Sequence, residues 1–361
     1  MKIANVILNK LDPFLKKVHI AIVYDAELFT VKVKIFQGSK KIKEELKLYE
    51  MEEEQLPRKM VIYLQKLQKN YGYCYISTFL SSINVGAIQG CSGEDFNSIG
   101  VDINNVVKVC VEERWTAYSS HYDIRLKEDI YEKIGGLDYI FPIELMMNQM
   151  IQNLNFQSNE PIVYLLQSSN SATLSIFNNQ TLLYSTHFLF SKEDNLKDEG
   201  DLDEMNDLIE SSEESVEELD EIVHLDDEDN DLLDDIEDLD DIVVDEDNLE
   251  LEDVNSVDDD ADNILDDEGL DDYQDEISLK HDMMLFEFVK HALEDYYKDD
   301  KYQSEFLSKA VIFSTDKVER ETLRNYLQNE LLLACNLVQV DLASIMIELS
   351  LLESTQELNN A

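Results

Sequence analysis

The first part of the chain carries a two-residue repeat of apolar and polar side chains, which is the period of a β-strand with one buried face. The clearest case is 29–36, where Val31, Val33 and Ile35 alternate with lysines. A more continuous apolar run at 19–25 precedes it, and 40–49 follows it across a Gln-Gly-Ser turn. We therefore predict a three-stranded meander.

The repeat then lengthens to that of a helix. Met60, Leu64 and Leu67 fall on one face of a helix predicted over 56–71. Further strands are predicted at 73–80, 106–111 and 115–118, followed by a helix at 137–154. A second group of three strands is predicted at 162–167, 173–178 and 181–190, with an Asn-rich turn before the last.

Helices and strands alternate again near the end of the chain. The pattern predicts helices at 280–297, 322–334 and 343–352, and strands at 310–314 and 337–340. Meanders followed by alternating helices and strands are typical of an α/β (α+β) domain.

Charge divides the chain into two materials. The formal net charge is −50, but residues 193–276 hold 43 acidic residues and one lysine, so the rest carries only −8. Low hydrophobicity with this charge density cannot offset chain entropy. We predict one folded domain, 18–191 and 280–361, interrupted by a disordered acidic insertion at 192–279.

Residues 1–17 are predicted to form an amphipathic segment with four lysines. Two readings stay open: the segment lies on a membrane surface, or it packs on its own domain. We expect no cleaved leader, since no small-residue cleavage site follows. No run approaches the 18 apolar residues that a spanning helix needs.

Candidate chemistry is sparse. The four cysteines lack paired spacing, so we expect buried, reduced thiols in a cytoplasmic protein. The six histidines form no metal-binding motif, and we expect no metal, no cofactor and no catalytic residue. Trp115, the single tryptophan, is expected in the core. No basic patch with interleaved aromatics points to nucleic acid.

Three runs carry a resemblance to a known family. They are 162–184 (IVYLLQSSNSATLSIFNNQTLLY), 285–297 (LFEFVKHALEDYY) and 309–327 (KAVIFSTDKVERETLRNYL). These resemble the second phosphate-loop hairpin, the following helix and the adenosine-side unit of the PilM family of type IV pilus assembly, and of the type II secretion L-protein cytoplasmic domain. The resemblance implies a two-lobed, actin-like (ribonuclease H-like) domain of the actin-like ATPase superfamily.

The loops depart from what that family's active members need. Close approach to phosphate favours Gly, and magnesium favours a correctly placed Asp. The first loop keeps Asp25 but adds Glu27, which repels phosphate. The second loop has neither Gly nor Asp, and the adenosine-side turn has no Gly pair; these two loops are made of Gln167, Ser168, Ser169 and Asn170, and of Ser314, Thr315 and Asp316. We expect a degenerate domain that neither hydrolyses nor tightly binds ATP.

The acidic segment contains a possible partner-docking motif. A Leu-Asp-x-Ile-Val run occurs twice, and apolar residues recur at helical spacing along an otherwise acidic sequence. A solvated spacer with accidental periodicity explains the same residues. The motif residues are Leu219, Ile222, Val223, Leu232, Ile236, Leu239, Ile242 and Val243.

The resemblance implies a non-catalytic cytoplasmic scaffold, peripheral to the inner membrane. It would bind the cytoplasmic tail of a single-pass inner-membrane protein, touching the membrane only indirectly. The scaffold would belong to a membrane-anchored machine of the type IV pilus or type II secretion type, or to a flagellar-motor accessory cage built from the same module. Two alternatives stay open: an active ATPase with unusual loops, and an acidic chaperone or decoy acting through the insertion. A homo-oligomer is compatible with each.

Overall fold

The structure, a computed structural model, describes residues 15–25, 27–51, 56–97, 99–154, 158, 160–169, 171–190, 268–298, 305–315 and 320–360. Within these ranges, side chains are described except at 268–278 and 356–360. The docking-motif residues 219–243, the acidic segment before 268 and residues 1–14 lie outside them. The parts of 1–194 and 274–361 that are described form one compact unit.

Two five-stranded sheets repeat one strand order. The first contains β1 (Lys16–Asp25), β2 (Leu28–Gln37), β3 (Lys40–Glu50), β4 (Tyr73–Leu80) and β8 (Tyr139–Pro142), in the order β3-β2-β1-β4-β8. The second contains β9 (Ile162–Gln167), β10 (Ser171–Asn178), β11 (Thr181–Leu189), β12 (Lys309–Ser314) and β13 (Ala334–Gln339), in the order β11-β10-β9-β12-β13. In each, three antiparallel strands are followed by two parallel ones.

A smaller sheet is inserted between β4 and β8. It contains β5 (Val85–Gln89), β6 (Val106–Val111) and β7 (Trp115–Ser120), all antiparallel, with β7 in the centre. The helices in the described ranges are α1 (Arg58–Asn70), α2 (Gly93–Asn97), α3 (His121–Tyr131), α4 (Ile143–Asn153), α5 (Glu268–Lys298), α6 (Glu321–Asn329) and α7 (Leu342–Asn360).

Burial explains the strand patterns. Successive residues of β2 alternate between half-exposed and buried, and Val31 and Val33 are almost fully buried. Central parallel strands are buried on both faces, so β9 (IVYLLQ) reads as a continuous apolar run. One core lies between the first sheet and α1, and a second between the second sheet, α5 and α6. A third cluster joins both sheets through α4 and α7.

The repeated order and the core between the two sheets confirm the predicted actin-like, ribonuclease H-like two-lobed fold. α7 follows the second sheet in sequence but packs on β1, β2 and β4 of the first. The core position of Trp115, which is fully buried, is confirmed.

Several predicted boundaries are wrong. Residues 139–142 form β8 rather than the start of a helix, because Pro142 holds an extended backbone and α4 begins only after it. The helix predicted at 322–334 ends at Asn329, and β13 begins at Ala334. Lys16 and Lys17 belong to β1, so the predicted N-terminal segment does not extend to 17.

The expectation of four reduced thiols is also wrong. Cys91 and Cys110 form a disulfide, whereas Cys74 and Cys335 are free. Cys91 follows β5 and Cys110 lies in β6, the two strands that flank β7. No local spacing rule links them, since the pair is defined by the sheet order rather than by a short motif.

Candidate functional site: the cleft between the lobes

The three predicted nucleotide loops follow parallel strands. β1 ends at Asp25, β9 at Gln167 and β12 at Ser314. Within a lobe the parallel strands end at one edge, so their loops gather there. Asn170 and Asp316 belong to these loops but lie outside the described residues.

The first two loops contact each other directly across the lobes. The Asp25 carboxylate accepts a hydrogen bond from the backbone N–H of Ser169, with Oδ1 at 3.1 Å and Oδ2 at 3.4 Å from the nitrogen. In a phosphate loop such an amide faces the ligand's phosphate. Here the Asp25 carboxylate already accepts the hydrogen bond of this amide, so a phosphate would have to displace the carboxylate.

Glu27 takes the left-handed backbone conformation that a glycine would supply in this turn. Its φ is 64°, and its carbonyl accepts a hydrogen bond from the amide of Met51 at 3.0 Å. A residue with a Cβ rarely adopts this conformation, so the turn stores some strain. The loop thus keeps a glycine-like shape while presenting an exposed acidic side chain.

The second loop is closed upon itself. The Ser168 amide donates to the carbonyl of Ser171 at 2.9 Å, and the two hydroxyls lie 2.9 Å apart. Polar groups that would otherwise turn toward a ligand are therefore paired within the hairpin.

A chain of hydrogen bonds between hydroxyl groups and an imidazole ring also joins the two lobes, beside the second loop. Ser81, directly after β4, lies 2.9 Å from the Ser171 hydroxyl and 3.2 Å from Nε2 of His187. Nδ1 of His187 lies 2.8 Å from the Thr173 hydroxyl. Burial lowers the pKa of His187 to about 4, so the ring is neutral near pH 7, with one nitrogen donating and the other accepting.

Sequence reasoning missed Ser81 and His187. They lie 106 residues apart and in different lobes, so no spacing rule brings them together. His187 could be read only as a histidine in a strand, and Ser81 only as the residue that ends one.

The adenosine-side loop is packed against the second phosphate loop. The Thr315 hydroxyl donates to the Gln167 carbonyl at 3.4 Å, and Ser314 pairs with Gln167 in neighbouring strands. Gln167 and Ser314 are each 2% exposed, and the Gln167 amide nitrogen lies 3.5 Å from Nδ1 of His281. Small polar side chains and strand backbone fill this part of the cleft.

A second set of lobe-to-lobe contacts lies along α7. Lys32 on β2 forms an ion pair at 2.5 Å with Asp341, the residue before α7. Nδ1 of His19 lies 2.7 Å from the Ser350 hydroxyl in a buried setting. Burial, and then the nearby charge of Lys17, lower the pKa of His19 to about 4. Both contacts hold the last helix on the first sheet.

Exposed apolar side chains lie on the inserted sheet and on α3. β6 is an edge strand on which Val107 and Val109 are 43% and 46% exposed. On α3, Tyr122, Leu126 and Ile130 recur at four-residue spacing and are all exposed. We call these five residues the α3–β6 surface. Val106 pairs with Ser120, the N-cap of α3, so the two elements start from neighbouring points.

The described ranges contain no group of three or more His, Cys, Asp or Glu side chains that could hold a metal ion. No helix in the described part of the chain is long and apolar enough to cross a bilayer.

The repeated strand order and the facing loops define an actin-like two-lobed protein. The chain belongs to the family described as Domain of unknown function (DUF8341), whose model matches residues 163–355. A second model, Domain of unknown function (DUF8569), matches residues 14–148. No curated protein sequence matches the chain.

Three solved structures are similar over most of their length. One is a Bacteroides thetaiotaomicron protein with actin-like ATPase fold and unknown function (TM-score 0.43, 9% identity, 94% of this chain and 98% of that one). Another is the PilM-PilN type IV pilus biogenesis complex (0.48, 11%, 91% and 89%). The third is the ethanolamine utilization protein EutJ from Carboxydothermus hydrogenoformans (0.35, 7%, 92% and 87%). The fold assignment rests on the strand order of this chain itself.

Proposed function

We propose that the protein is a non-catalytic scaffold that binds the cytoplasmic tail of a single-pass inner-membrane protein. Its machine would be of the type IV pilus or type II secretion type, or a flagellar-motor cage built from the same module. The protein would then work in the cytoplasm, peripheral to the inner membrane. The family resemblance of residues 162–184, 285–297 and 309–327 motivates the partner.

The observation that carries the proposal is the hydrogen bond between Asp25 and the Ser169 amide. It ties the lobes at the point where an actin-like ATPase would hold phosphate. Two further contacts between the lobes, Ser81–His187 and Lys32–Asp341, also support a domain that is closed without a nucleotide. A domain whose lobes are bonded directly can serve as a rigid surface without a nucleotide between them.

The α3–β6 surface is the docking site that we assign to the tail. An open edge strand offers backbone donors and acceptors to an extended peptide, and alternate side chains of that peptide meet apolar residues. A six-residue edge suits a short tail better than a folded domain. The expected partner segment is extended and carries apolar residues at every second position.

The test uses the full chain as bait on detergent-solubilised membranes of the source organism. Bound proteins are identified by mass spectrometry. Wild type should retain a single-pass membrane protein, and the double variant Tyr122→Ser/Leu126→Ser should lose most of it.

The matched control is Leu46→Ser/Leu48→Ser on β3, where both leucines are about as exposed, at 60% and 58%. This control should retain the partner. Loss of the partner in the control variant, or equal retention by all three proteins, would contradict the docking site. Retention of no membrane protein by the wild type would contradict the proposed function.

A further inference from the structure

We propose that Cys91 and Cys110 form a reversible redox-modification site that fixes the edge strand β6. The redox chemistry of this pair is independent of the proposed function. The consequence of the redox state for docking rests on the proposed function. The bond joins the outer strands of the inserted sheet across the end of β7, since Cys110 pairs with Thr116 and Cys91 lies just beyond Gln89, the partner of Trp115.

Exposure separates Cys110 from the other three cysteines. Cys110 is exposed and Cys91 is half-buried, so a small thiol can reach the bond. Cys335 is buried and Cys74 is half-buried, and burial raises the pKa of each of these two thiols to about 11. Exposed disulfides are the labile ones, and disulfides that form in reducing compartments are usually transient.

The loop that carries Cys91 is held without the disulfide. The Gly90 amide donates to the Arg114 carbonyl at 2.8 Å, and the Thr116 hydroxyl donates to the Gly90 carbonyl at 2.7 Å. Asp95 accepts from both the amide and the hydroxyl of Ser92 at 2.7 Å. Reduction therefore leaves this loop in place.

Outside its pairing with β7, β6 is held by Lys108, whose ammonium lies 5.3 Å from the centre of the Phe96 ring, and by Val111, which packs against the central core. As an edge strand it is paired only with β7 among the described strands, and its four central residues are exposed. The disulfide is the covalent tie between this strand and the anchored loop. Breaking it should leave the loop ordered and let β6 fluctuate, so the redox state acts on the edge that we assign to the tail.

The exchange balances with a low-molecular-weight disulfide of the glutathione type as oxidant. The Cys110 thiolate attacks one sulfur of that disulfide and forms a mixed disulfide, which releases one thiolate. The Cys91 thiolate then attacks Sγ of Cys110 and releases the second thiolate. The cysteine pair loses two electrons, the small disulfide gains them, and the two protons of the cysteine thiols end on the two small thiols.

The first experiment incubates the full chain in glutathione buffers of stepped ratio, traps thiols with N-ethylmaleimide under denaturing conditions and measures intact mass. In oxidising buffer, two cysteines should be labelled. After the native protein is reduced with a small dithiol reagent, all four should be labelled. Peptide mapping should place the change at Cys91 and Cys110. Four free thiols in every buffer, or a bond that resists the dithiol, would overturn the proposal.

The second experiment measures amide exchange of 106–111 in both states. Reduction should accelerate exchange there about tenfold, while Gly90 stays protected. Cys110→Ser should behave like the reduced protein and Cys74→Ser like the wild type. Equal exchange of β6 in both states would overturn the claim that the bond fixes the strand.

Membrane-protein retention is then compared between the two states. Fixing the strand in advance lowers the ordering cost of binding, so retention should be about fivefold higher in the oxidised state. Equal retention in both states would overturn the link to docking. If no membrane protein is retained in either state while the thiol chemistry and exchange behave as expected, the proposed function fails and the redox site stands.

Discussion

The carboxylate of Asp25 and the backbone amide of Ser169, 144 residues apart, meet at 3.1 Å across the two lobes. The contact satisfies a donor and an acceptor that would otherwise face the cleft. It also fixes the distance between the two loops, because a side chain of one is bonded to the main chain of the other.

Replacing Asp25 with Ala should weaken this closure. The lost bond is charge-assisted but partly solvated, so the free energy of unfolding should fall by about 1 kcal/mol. The amide of Ser169 should exchange faster in the variant, as measured by hydrogen exchange. Glu27→Gln, in the same turn, should leave that amide protected. An unchanged exchange rate in Asp25→Ala would mean that the contact is not formed in solution.

Mg-ATP should not stabilise the protein. A ligand at 100 times its dissociation constant would add about 2.7 kcal/mol to the free energy of unfolding, which a melting curve detects easily. With millimolar Mg-ATP we expect the melting temperature to match that of a Mg²⁺-only control. A clear upward shift would favour the alternative of an active ATPase with unusual loops.

Acid should weaken the anchorage of α7 through Asp341. Burial would raise the pKa of this carboxyl, but the hydrogen bonds from Lys32 and Ser344 outweigh burial and lower it below its usual value. A depressed carboxyl pKa stabilises the fold above the unfolded-state pKa, and this contribution is lost as pH falls through the folded-state pKa.

The expected size of that effect is modest. The Asp341 side chain is 52% exposed, so solvent screening limits the contribution to about 0.5 kcal/mol. Urea unfolding at pH 7 and pH 3 should show a smaller loss of stability for Lys32→Met than for wild type. Lys40→Met, at an exposed position of β3, serves as the control and should keep the wild-type difference.

His187 should make the stability of the fold sensitive to acid at higher pH than Asp341 does. Its pKa is about 4 when folded, against 6.5 as the ordinary value, so between these pH values the unfolded chain binds more protons. Stability should therefore fall as pH drops from 6.5 toward 4. His187→Gln should reduce the loss between pH 7 and pH 5 by about 1 kcal/mol, measured by urea unfolding. His121→Gln, at an exposed position, should not change it.

The meanders were predictable because a half-buried strand leaves a two-residue repeat in the sequence. All three strands of the first meander were placed correctly, and β2 carries that signal most clearly, with Val31, Val33 and Ile35 on the buried face. β8 was not, because its four residues form one apolar run with α4, and only Pro142 marks the boundary.

The cleft was predictable in part. The family resemblance indicated the loops of Asp25 and Ser169, but nothing local indicated that they bond to each other. Ser81, His187 and the Cys91–Cys110 bond are products of tertiary structure, since each joins elements that are distant in sequence. The part of a site that depends on which strands become neighbours needs the fold before it can be seen.

Phe190, just after β11, and His281, on α5, lie in ring contact with 4.6 Å between their centroids. Two described residues that lie 91 apart in sequence therefore meet at one point of the second lobe. Each doubling of the length between two such points costs only about 0.6 kcal/mol of loop closure. This junction can therefore accept or lose long stretches of sequence at little cost to folding. Relatives of this protein can be expected to differ most in length here, with both lobes unchanged around the junction.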